Sequence, residues 1–261
     1  MPTEPTIRKS THDLALLVAG NVRAAQLSPE VEKYYLDNNK DEVVSAICRG
    51  FVLPLPEKKV VEVVPLTMFK TTDTDLDWWL GKAEEFTKRH LGLAVNLRQQ
   101  FTIPTELPYQ SVIPIFDPGT LTNRDVFELI KKLGHHPWEE VDVMKYVGAE
   151  KSNAPTLHLI ENLVRPNADT MGLSPDELRR TGKSYLRLRG YGLAVALYNF
   201  AKNEFLDPET FTWFPEDRLP DGDVANGDWF PDYRQVRFNW YGPGYRISNG
   251  GGRVAISLAT T

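Results

Sequence analysis

The sequence predicts a mixed α+β fold preceded by a helical N-terminal region, and three features support this prediction. Apolar residues recur at helical spacing within the first fifty positions. A second helical stretch begins at Ser174, where residues 174–177 read Ser-Pro-Asp-Glu, a capping box with proline at the first helical position. Polar and apolar residues alternate from Val236 to Tyr241, as in a strand with one exposed face. Helices and strands in separate stretches are typical of α+β domains.

A domain boundary is predicted between residues 55 and 60. Pro54, Pro56 and the basic pair Lys58-Lys59 interrupt the helical pattern there. We therefore divide the chain into a helical N-terminal region at residues 1–55 and an α+β domain at residues 60–261. The valine-rich segment from Lys59 to Met68 predicts a strand where the second domain begins.

Composition indicates a globular protein and disfavours several classes of partner. The chain has 261 residues, a formal net charge of −5 and 41% hydrophobic residues. Basic residues are not concentrated in any stretch, which disfavours nucleic acid as a ligand. Cys48 is the single cysteine, which excludes an intrachain disulfide and a cysteine-based zinc site.

The sequence predicts no membrane span, because it has no run of about 18 apolar residues. The N-terminal residues do not resemble a signal peptide. We therefore expect a cytoplasmic or virion-associated location and leave the choice between them open. Self-association into a homo-oligomer is left open as well.

Three further helices are predicted within the second domain. The first spans Asp73–Leu91, and the second spans Asn123–Leu133 with Gly134 after its end. Glycines at positions 182, 190 and 192 predict an interruption after the helix that begins at Ser174. The third helix, at about Leu193–Asn203, is apolar on nearly all sides and should be buried.

The remaining segments are predicted to be mostly irregular. Gln100–Thr122, with four prolines, is interpreted as loop and edge strand. Asp207–Pro231 shows no usable periodicity and is interpreted as a long ordered loop held by its aromatic residues. Gly242–Gly252 is predicted to be a glycine-rich loop, followed by a closing strand at Val254–Leu258.

No metal site, cofactor or catalytic residue is predicted. Four acidic residues have the spacing of an EF-hand calcium loop: Asp73, Asp75, Asp77 and Glu84. That loop needs glycine where this chain has Trp78, so we interpret the acidic residues as a helix N-terminus. The adjacent His135 and His136 have no cysteine or carboxylate at metal-ligand spacing. Neither a G-x-S-x-G nor a phosphate-binding glycine motif is present.

The C-terminal segment is interpreted as a binding surface. Tyrosine and arginine are enriched at binding hot spots, and tyrosine, serine, glycine and asparagine are frequent in antibody loops. Eight residues would form one continuous exposed strip there: Arg237, Asn239, Tyr241, Tyr245, Arg246, Ile247, Ser248 and Asn249. The alternative is an ordinary edge strand with a flexible hairpin. The predicted strip makes a ligand-binding, non-enzymatic protein the favoured interpretation.

Two motifs in this segment carry a resemblance to a known family. The ending Gly-Gly-Gly-Arg-Val-Ala-Ile-Ser-Leu, residues 250–258, resembles the closing strand of C-type-lectin-fold proteins. Trp229, Arg234 and Trp240, followed by that ending, resemble the variable proteins of diversity-generating retroelements. In those elements a reverse transcriptase rewrites the 3′ end of the target gene, chiefly at adenines.

The resemblance implies a C-type lectin-like domain with a variable segment at about residues 228–249. It adds Phe230, Asp232 and Tyr233 to the predicted ligand-contacting residues, and it implies protein or glycan ligands and a viral or mobile-element origin. The positions it implies to be constant scaffold are Trp229, Pro231, Arg234, Val236, Phe238, Trp240, Pro243 and Arg253. The resemblance covers about the last sixty residues and the helical stretch from Ser174 to Asn203.

Two other functions stay open on the sequence alone. One is a small hydrolase-type enzyme with its site near the 207–228 loop, where acidic residues are frequent enough for two carboxylates to meet. The other is a structural subunit of a virion or mobile element that assembles through the N-terminal helices.

Overall fold

Two β-sheets enclose a helical core in the described part of the chain, residues 67–139 and 154–260 of a computed structural model. The strands are β1 (Phe69–Lys70), β2 (Glu106–Leu107), β3 (Val112–Asp117), β4 (Trp138–Glu139), β5 (Thr156–Glu161), β6 (Phe211–Arg218), β7 (Val224–Phe230), β8 (Gln235–Tyr241), β9 (Gly250–Gly252) and β10 (Ala255–Ala259). The α-helices are α1 (Leu76–Phe86), α2 (Leu97–Gln100), α3 (Asn123–Lys132), α4 (Pro175–Arg180) and α5 (Leu188–Lys202). The mixed α+β prediction is confirmed.

The larger sheet has five strands in the order β4-β8-β7-β6-β9. Its three long strands, β6, β7 and β8, are antiparallel neighbours. The short strands β4 and β9 form the two edges of the sheet. Strand β4 runs parallel to β8, and β9 runs parallel to β6. The smaller sheet is antiparallel with the order β10-β5-β3, and β1 pairs with β2 in a separate ribbon.

Helix α5 lies at the centre of the main hydrophobic core. Its residues from Gly190 to Tyr198 are all buried, as predicted for a helix that is apolar on nearly all sides. The helix begins at Leu188 and not near Leu193, because Gly190 and Gly192 continue the helix. A Cβ atom at Gly192 would lie 2.5 Å from the Val126 Cγ1 atom of α3. Glycine therefore allows α3 and α5 to approach closely, and the predicted interruption lies before Leu188.

The helix starts predicted at Asn123 and Ser174 in the second domain are confirmed. Ser174 caps α4 with a capping box that includes Glu177, and Gly134 follows α3 in a left-handed conformation, with φ of 84°. The predicted helix at Asp73–Leu91 corresponds to α1 and the π-helical turn Thr87–Leu91. Asp75, at its N-terminus, accepts a 2.6 Å hydrogen bond from the Ser111 hydroxyl.

The prediction of a long loop at Asp207–Pro231 is wrong, because this segment contains the long strands β6 and β7. Both faces of these strands are covered, and consecutive residues such as Trp213 and Phe214 are fully buried. A strand buried on both sides loses the alternation of apolar and polar residues that identifies a strand in a sequence. Pro215 and Gly227 further weakened the strand signal.

The prediction of a glycine-rich loop at Gly242–Gly252 is also partly wrong. Its last three residues form β9, which pairs in parallel with β6. Each glycine of β9 lies against a side chain. A Cβ atom added at Gly252 would lie 2.5 Å from Tyr185, and one added at Gly251 would lie 2.9 Å from Met171. These glycines therefore serve close packing of the strand. The closing strand predicted at Val254–Leu258 is confirmed as β10.

Three other predictions concern the remaining parts of the chain. Gln100–Thr122 contains β3 at the edge of its sheet, in agreement with the edge-strand interpretation. The helical region at residues 1–55 and most of the strand at Lys59–Met68 lie outside the described residues. Among the residues that are described, no helix has the length and apolar character needed to cross a membrane.

Candidate ligand-binding surface

Strand β8 has one face towards the core and one towards the outside, as the sequence alternation predicts. Val236 and Phe238 are fully buried, and Trp240 is half-buried beside the main core. Arg237, Asn239 and Tyr241 point to the opposite face, where the first two are half-buried and Tyr241 is 42% exposed. We call the outward positions of β8, together with residues 230–233 and 242–249, the ligand strip.

The neighbouring strands extend this outward face on both sides of β8. Across the pair with β7, Asp228 lies opposite Arg237 and Asn226 lies opposite Asn239. On the other side, Trp138 of β4 lies beside Arg237 in the parallel pair and is 42% exposed. Strand β8 therefore lies inside the sheet, which differs from the ordinary edge strand of the alternative interpretation.

One end of the ligand strip is a stack of aromatic and charged groups. The rings of Phe230 and Tyr233 stack with centroids 5.2 Å apart, and the Arg237 guanidinium lies 3.9 Å from the Phe230 ring centre. Arg237 also pairs with Asp228, and its Nε donates a 3.1 Å hydrogen bond to that carboxylate. Burial raises the pKa of Asp228, and the hydrogen bond from Arg237 opposes this shift. Tyr233 is the outermost group, 67% exposed.

The other end of the ligand strip is a pair of stacked tyrosines. Tyr241 and Tyr245 stack with ring centroids 5.0 Å apart and an angle of 18° between the rings. Trp213 meets Tyr241 edge-on, with centroids 6.1 Å apart. Because both tyrosines remain exposed while Trp213 beneath them is fully buried, they present aromatic surface on a rigid base.

Helix α4 holds the loop that follows β8. The Arg246 Nε atom lies 3.0 Å from a Glu177 carboxylate oxygen, and the Asp176 N–H donates a 3.0 Å hydrogen bond to the Pro243 carbonyl. The Asn249 side chain donates a 3.3 Å bond to the Glu209 carbonyl. The loop is therefore tied to helix and strand at several points, unlike the flexible hairpin of the alternative interpretation.

The predicted strip is only partly exposed, because Arg237, Asn239 and Ile247 are half-buried. Ile247 was predicted to be exposed, but it is half-buried and packs on a small cluster with Leu178, Trp213 and Val224. An apolar side chain gains more by filling that cluster than by facing water. Asp232 and Ser248 are exposed, as expected. Asn239 lies on β8 between the two aromatic ends.

The three buried carboxylates of the 207–228 segment each contact an arginine. Asp207 lies 2.8 Å from Arg253, Asp217 accepts a 2.7 Å bond from Arg187, and Asp228 pairs with Arg237 as described above. Burial raises the pKa of Asp217, and the charge of Arg187 opposes this shift. These contacts position strands and helices and leave each carboxylate with a structural partner.

Some residues of the surface were not predicted from the sequence. Trp138 follows two histidines and a proline in a short segment without periodicity, so nothing indicated that it lies beside Arg237. Asp228 was assigned to the variable segment but not as the partner of Arg237. A charge on the neighbouring strand becomes visible only through the register of β7 and β8.

Among the described residues, no group of three or more histidine, cysteine, aspartate or glutamate side chains is arranged to hold a metal ion. Comparisons of the chain with protein-family models, curated proteins and solved structures find no match.

Proposed function

We propose that this protein is a non-enzymatic display protein that binds protein or glycan ligands through the ligand strip. In this proposal the domain is C-type lectin-like, and a retroelement diversifies the residues of the strip. The observation that carries the proposal is the two-sided character of β8. Its inward residues anchor the strand, while its outward residues join two exposed aromatic pairs on one surface.

The composition of the strip suits ligand recognition. Tyr233, Tyr241 and Tyr245 provide large aromatic area with few rotatable bonds, which lowers the entropy lost on binding. Asn239 and Ser248 add hydrogen-bonding groups between and beside them. Aromatic anchors surrounded by small polar residues are typical of paratopes, and this supports binding to varied macromolecular ligands.

The burial pattern supports diversification of the same residues. Substitutions at exposed positions usually change the free energy of unfolding by less than about 0.5 kcal/mol. Tyr233, Tyr241, Tyr245 and Ser248 are exposed, whereas Val236 and Phe238 are fully buried. A change at the first group should therefore alter recognition without unfolding the domain.

Two features support the lectin-like and non-catalytic parts of the proposal. Strand β10 follows the Gly-Arg-Val motif, and helices α4 and α5 lie in the stretch where the resemblance expects helices. The three buried carboxylates near residues 207–228, among which a hydrolase site would be sought, are paired with Arg253, Arg187 and Arg237.

A surface-display library tests whether the strip can act as a variable binding surface. Asn239, Tyr241, Tyr245 and Ser248 are randomised together, and clones are selected for binding to immobilised lysozyme as a model target. We expect folded clones with micromolar affinity or better. A matched library randomises four exposed residues elsewhere: Lys131, Arg165, Arg180 and Glu209.

Binders should come from the strip library and not from the matched library. Binders in equal number from both libraries would mean that the strip has no special capacity for recognition. Strip clones that are mostly unfolded would show that these residues belong to the core. Either result contradicts the proposal.

The DNA beside the gene tests the retroelement part separately. The proposal requires a near-copy of the 3′ end of the gene that differs from it chiefly at adenines, together with a reverse transcriptase gene. Absence of both from the surrounding genome would remove diversification from the proposal, while the binding library would still test recognition.

A further inference from the structure

A pocket of about 420 Å³ lies beside the ligand strip, at the turn between β7 and β8. It is lined by residues from three parts of the chain: Gly134, His135, His136, Asn199, Asn203, Phe205, Trp229, Tyr233 and Arg234. Its volume falls within the range of small-molecule sites, which is about 300–1,000 Å³. Apart from Tyr233, these residues lie outside the predicted ligand-contacting set, and the inference below does not rest on the proposed function.

The apolar part of the pocket is a rigid aromatic wall. Phe205 and Trp229 stack face to face, with ring centroids 3.5 Å apart and an angle of 3° between the rings. His135 meets Phe205 edge-on at 4.8 Å. Phe205 and Trp229 fix each other and His135 stands nearly at right angles to both, so the wall is rigid and loses little entropy when a ligand ring or carbon chain packs on it.

The polar part of the pocket has a positive character in a chain with a net charge of −5. Arg234 is exposed and has no acidic partner among the described residues, and no aspartate or glutamate lines the pocket. Burial lowers the pKa of His135, a hydrogen bond with Asn199 raises it, and the charges of Arg234 and His136 lower it. The Arg234 guanidinium is the permanent cation of the pocket. An unpaired arginine has a planar donor pair that fits a carboxylate.

Three residues in left-handed backbone conformations build the rim of the pocket. Gly134 ends α3 with φ of 84°, Asn203 ends α5 with φ of 56°, and Arg234 ends the turn after β7 with φ of 52°. This conformation is unfavourable for residues other than glycine, and such residues are concentrated at functional sites. At Arg234 the strained turn places a cation at the mouth of the aromatic wall.

We propose that this pocket binds an organic carboxylate, with the carboxylate on Arg234 and the carbon skeleton against Trp229 and Phe205. Asn203 also lines the pocket and adds a hydrogen-bonding amide for the same ligand, while Asn199 hydrogen-bonds Glu204 and His135 and holds this wall in place. The chemistry fits a free aromatic acid and an acidic sugar at the end of a glycan, because both combine one carboxylate with a ring that can pack on the aromatic wall.

NMR titration of the histidine ring protons tests this proposal, since the chain has only five histidines. Benzoate serves as the free aromatic acid and glucuronate as the acidic sugar. Methyl benzoate and glucose are their uncharged counterparts, and sulfate is an anion without a carbon skeleton. We expect at least one of the two carboxylates to shift the His135 and His136 signals. The carboxylate with the lower Kd shows whether the ligand is a free acid or an acidic sugar.

The specificity of binding is tested with three variants of the full chain. Arg234→Gln removes the cation and should weaken binding by about tenfold or more, since charge-assisted hydrogen bonds dominate such sites. Arg165→Gln makes the same change at an exposed arginine outside the pocket and should leave the Kd unchanged. Tyr241→Ala/Tyr245→Ala alters the ligand strip alone and should also leave it unchanged.

Four results would overturn the proposal. The first is that neither carboxylate shifts the histidine signals, and the second is that the uncharged counterparts bind as tightly as the carboxylates. The third is that sulfate binds as tightly as the carboxylates. The fourth is that a folded Arg234→Gln protein binds them with full affinity. Loss of binding in Arg165→Gln would also overturn it, because the carboxylates would then be attracted by the general charge of the protein and not by a specific site.

Discussion

Arg253 is a buried arginine whose charge is balanced by the groups around it. Its guanidinium is 2% exposed and donates to the Asp207 carboxylate at 2.8 Å, to the Thr212 hydroxyl at 3.0 Å and to the Val164 carbonyl at 2.7 Å. Asp207, fully buried, also accepts a 2.9 Å bond from Thr210. The pair joins the closing strand to β6 and to the segment before it, which explains why this position would be constant scaffold.

Replacing Arg253 with methionine should reduce the free energy of unfolding by about 3–5 kcal/mol, because the Asp207 charge would remain buried without its partner. Chemical denaturation measures this loss. As a control, Arg180→Met removes an exposed arginine and should change the free energy by less than about 0.5 kcal/mol. Similar values for the two variants would contradict the structural role of Arg253.

His158 makes stability depend on pH. It lies on β5, its Nδ1 is 2.8 Å from the Ser257 hydroxyl, and the ion pair between Arg189 and Asp117 lies nearby. Burial lowers the pKa of His158; Asp117 raises it and Arg189 lowers it. The unfolded chain therefore binds a proton near pH 6.5, whereas the folded chain does so only at lower pH.

Stability should consequently fall as the pH drops from about 6.5 towards the lowered pKa of His158. His158→Gln should remove this part of the pH dependence, while His136→Gln, a change at an exposed histidine, should retain it. Thermal unfolding of the three proteins between pH 7.5 and 5 checks the prediction. Parallel stability curves for wild type and His158→Gln would refute it.

At the scale of elements, helix packing depends on Gly192. The nearest atom to a Cβ there belongs to Val126, whose branched side chain has little rotameric freedom. Gly192→Ala should therefore force α3 and α5 apart and reduce the free energy of unfolding by about 1–3 kcal/mol. Chemical denaturation gives the value directly.

Gly81 in α1 is the matched control, because a Cβ atom there meets nothing within 4 Å. Gly81→Ala should stabilise the protein by about 0.5–1 kcal/mol through the better helix propensity of alanine. Changes of the same sign in the two variants would mean that helix propensity, and not the approach of α3, decides the result at Gly192.

The elements predictable from the sequence are those with a local signal. The capping box at Ser174 and the alternation in β8 each arise within a few residues, so the sequence alone locates α4 and β8. Strands β6, β7 and β9 depend on burial on both faces and on side chains far away in the chain. Gly252, for example, needs to be glycine because of Tyr185, which no local pattern indicates.

At the scale of the whole molecule, the large sheet has an inner face against the core and an outer face that is only partly covered by the described residues. Tyr191 of α5 lies under Gly227 and Phe238 on the inner face. On the outer face, helix α4 and the small cluster around Trp213 cover the β6 side, whereas the β8 side carries the exposed rings of Trp138 and Tyr241. The outward positions of β8 were predictable from alternation, but the half-buried Ile247 was not, since its exposure depends on α4.

The central claim is that the outward face of this sheet varies while the inward face does not. It is tested most directly by deep sequencing of codons 230–253 in a population that carries this gene. Our account predicts substitutions at Asn239, Tyr241 and Tyr245, and constancy at Val236 and Phe238. Substitutions spread evenly over the outward and inward codons, or a constant segment throughout, would contradict it.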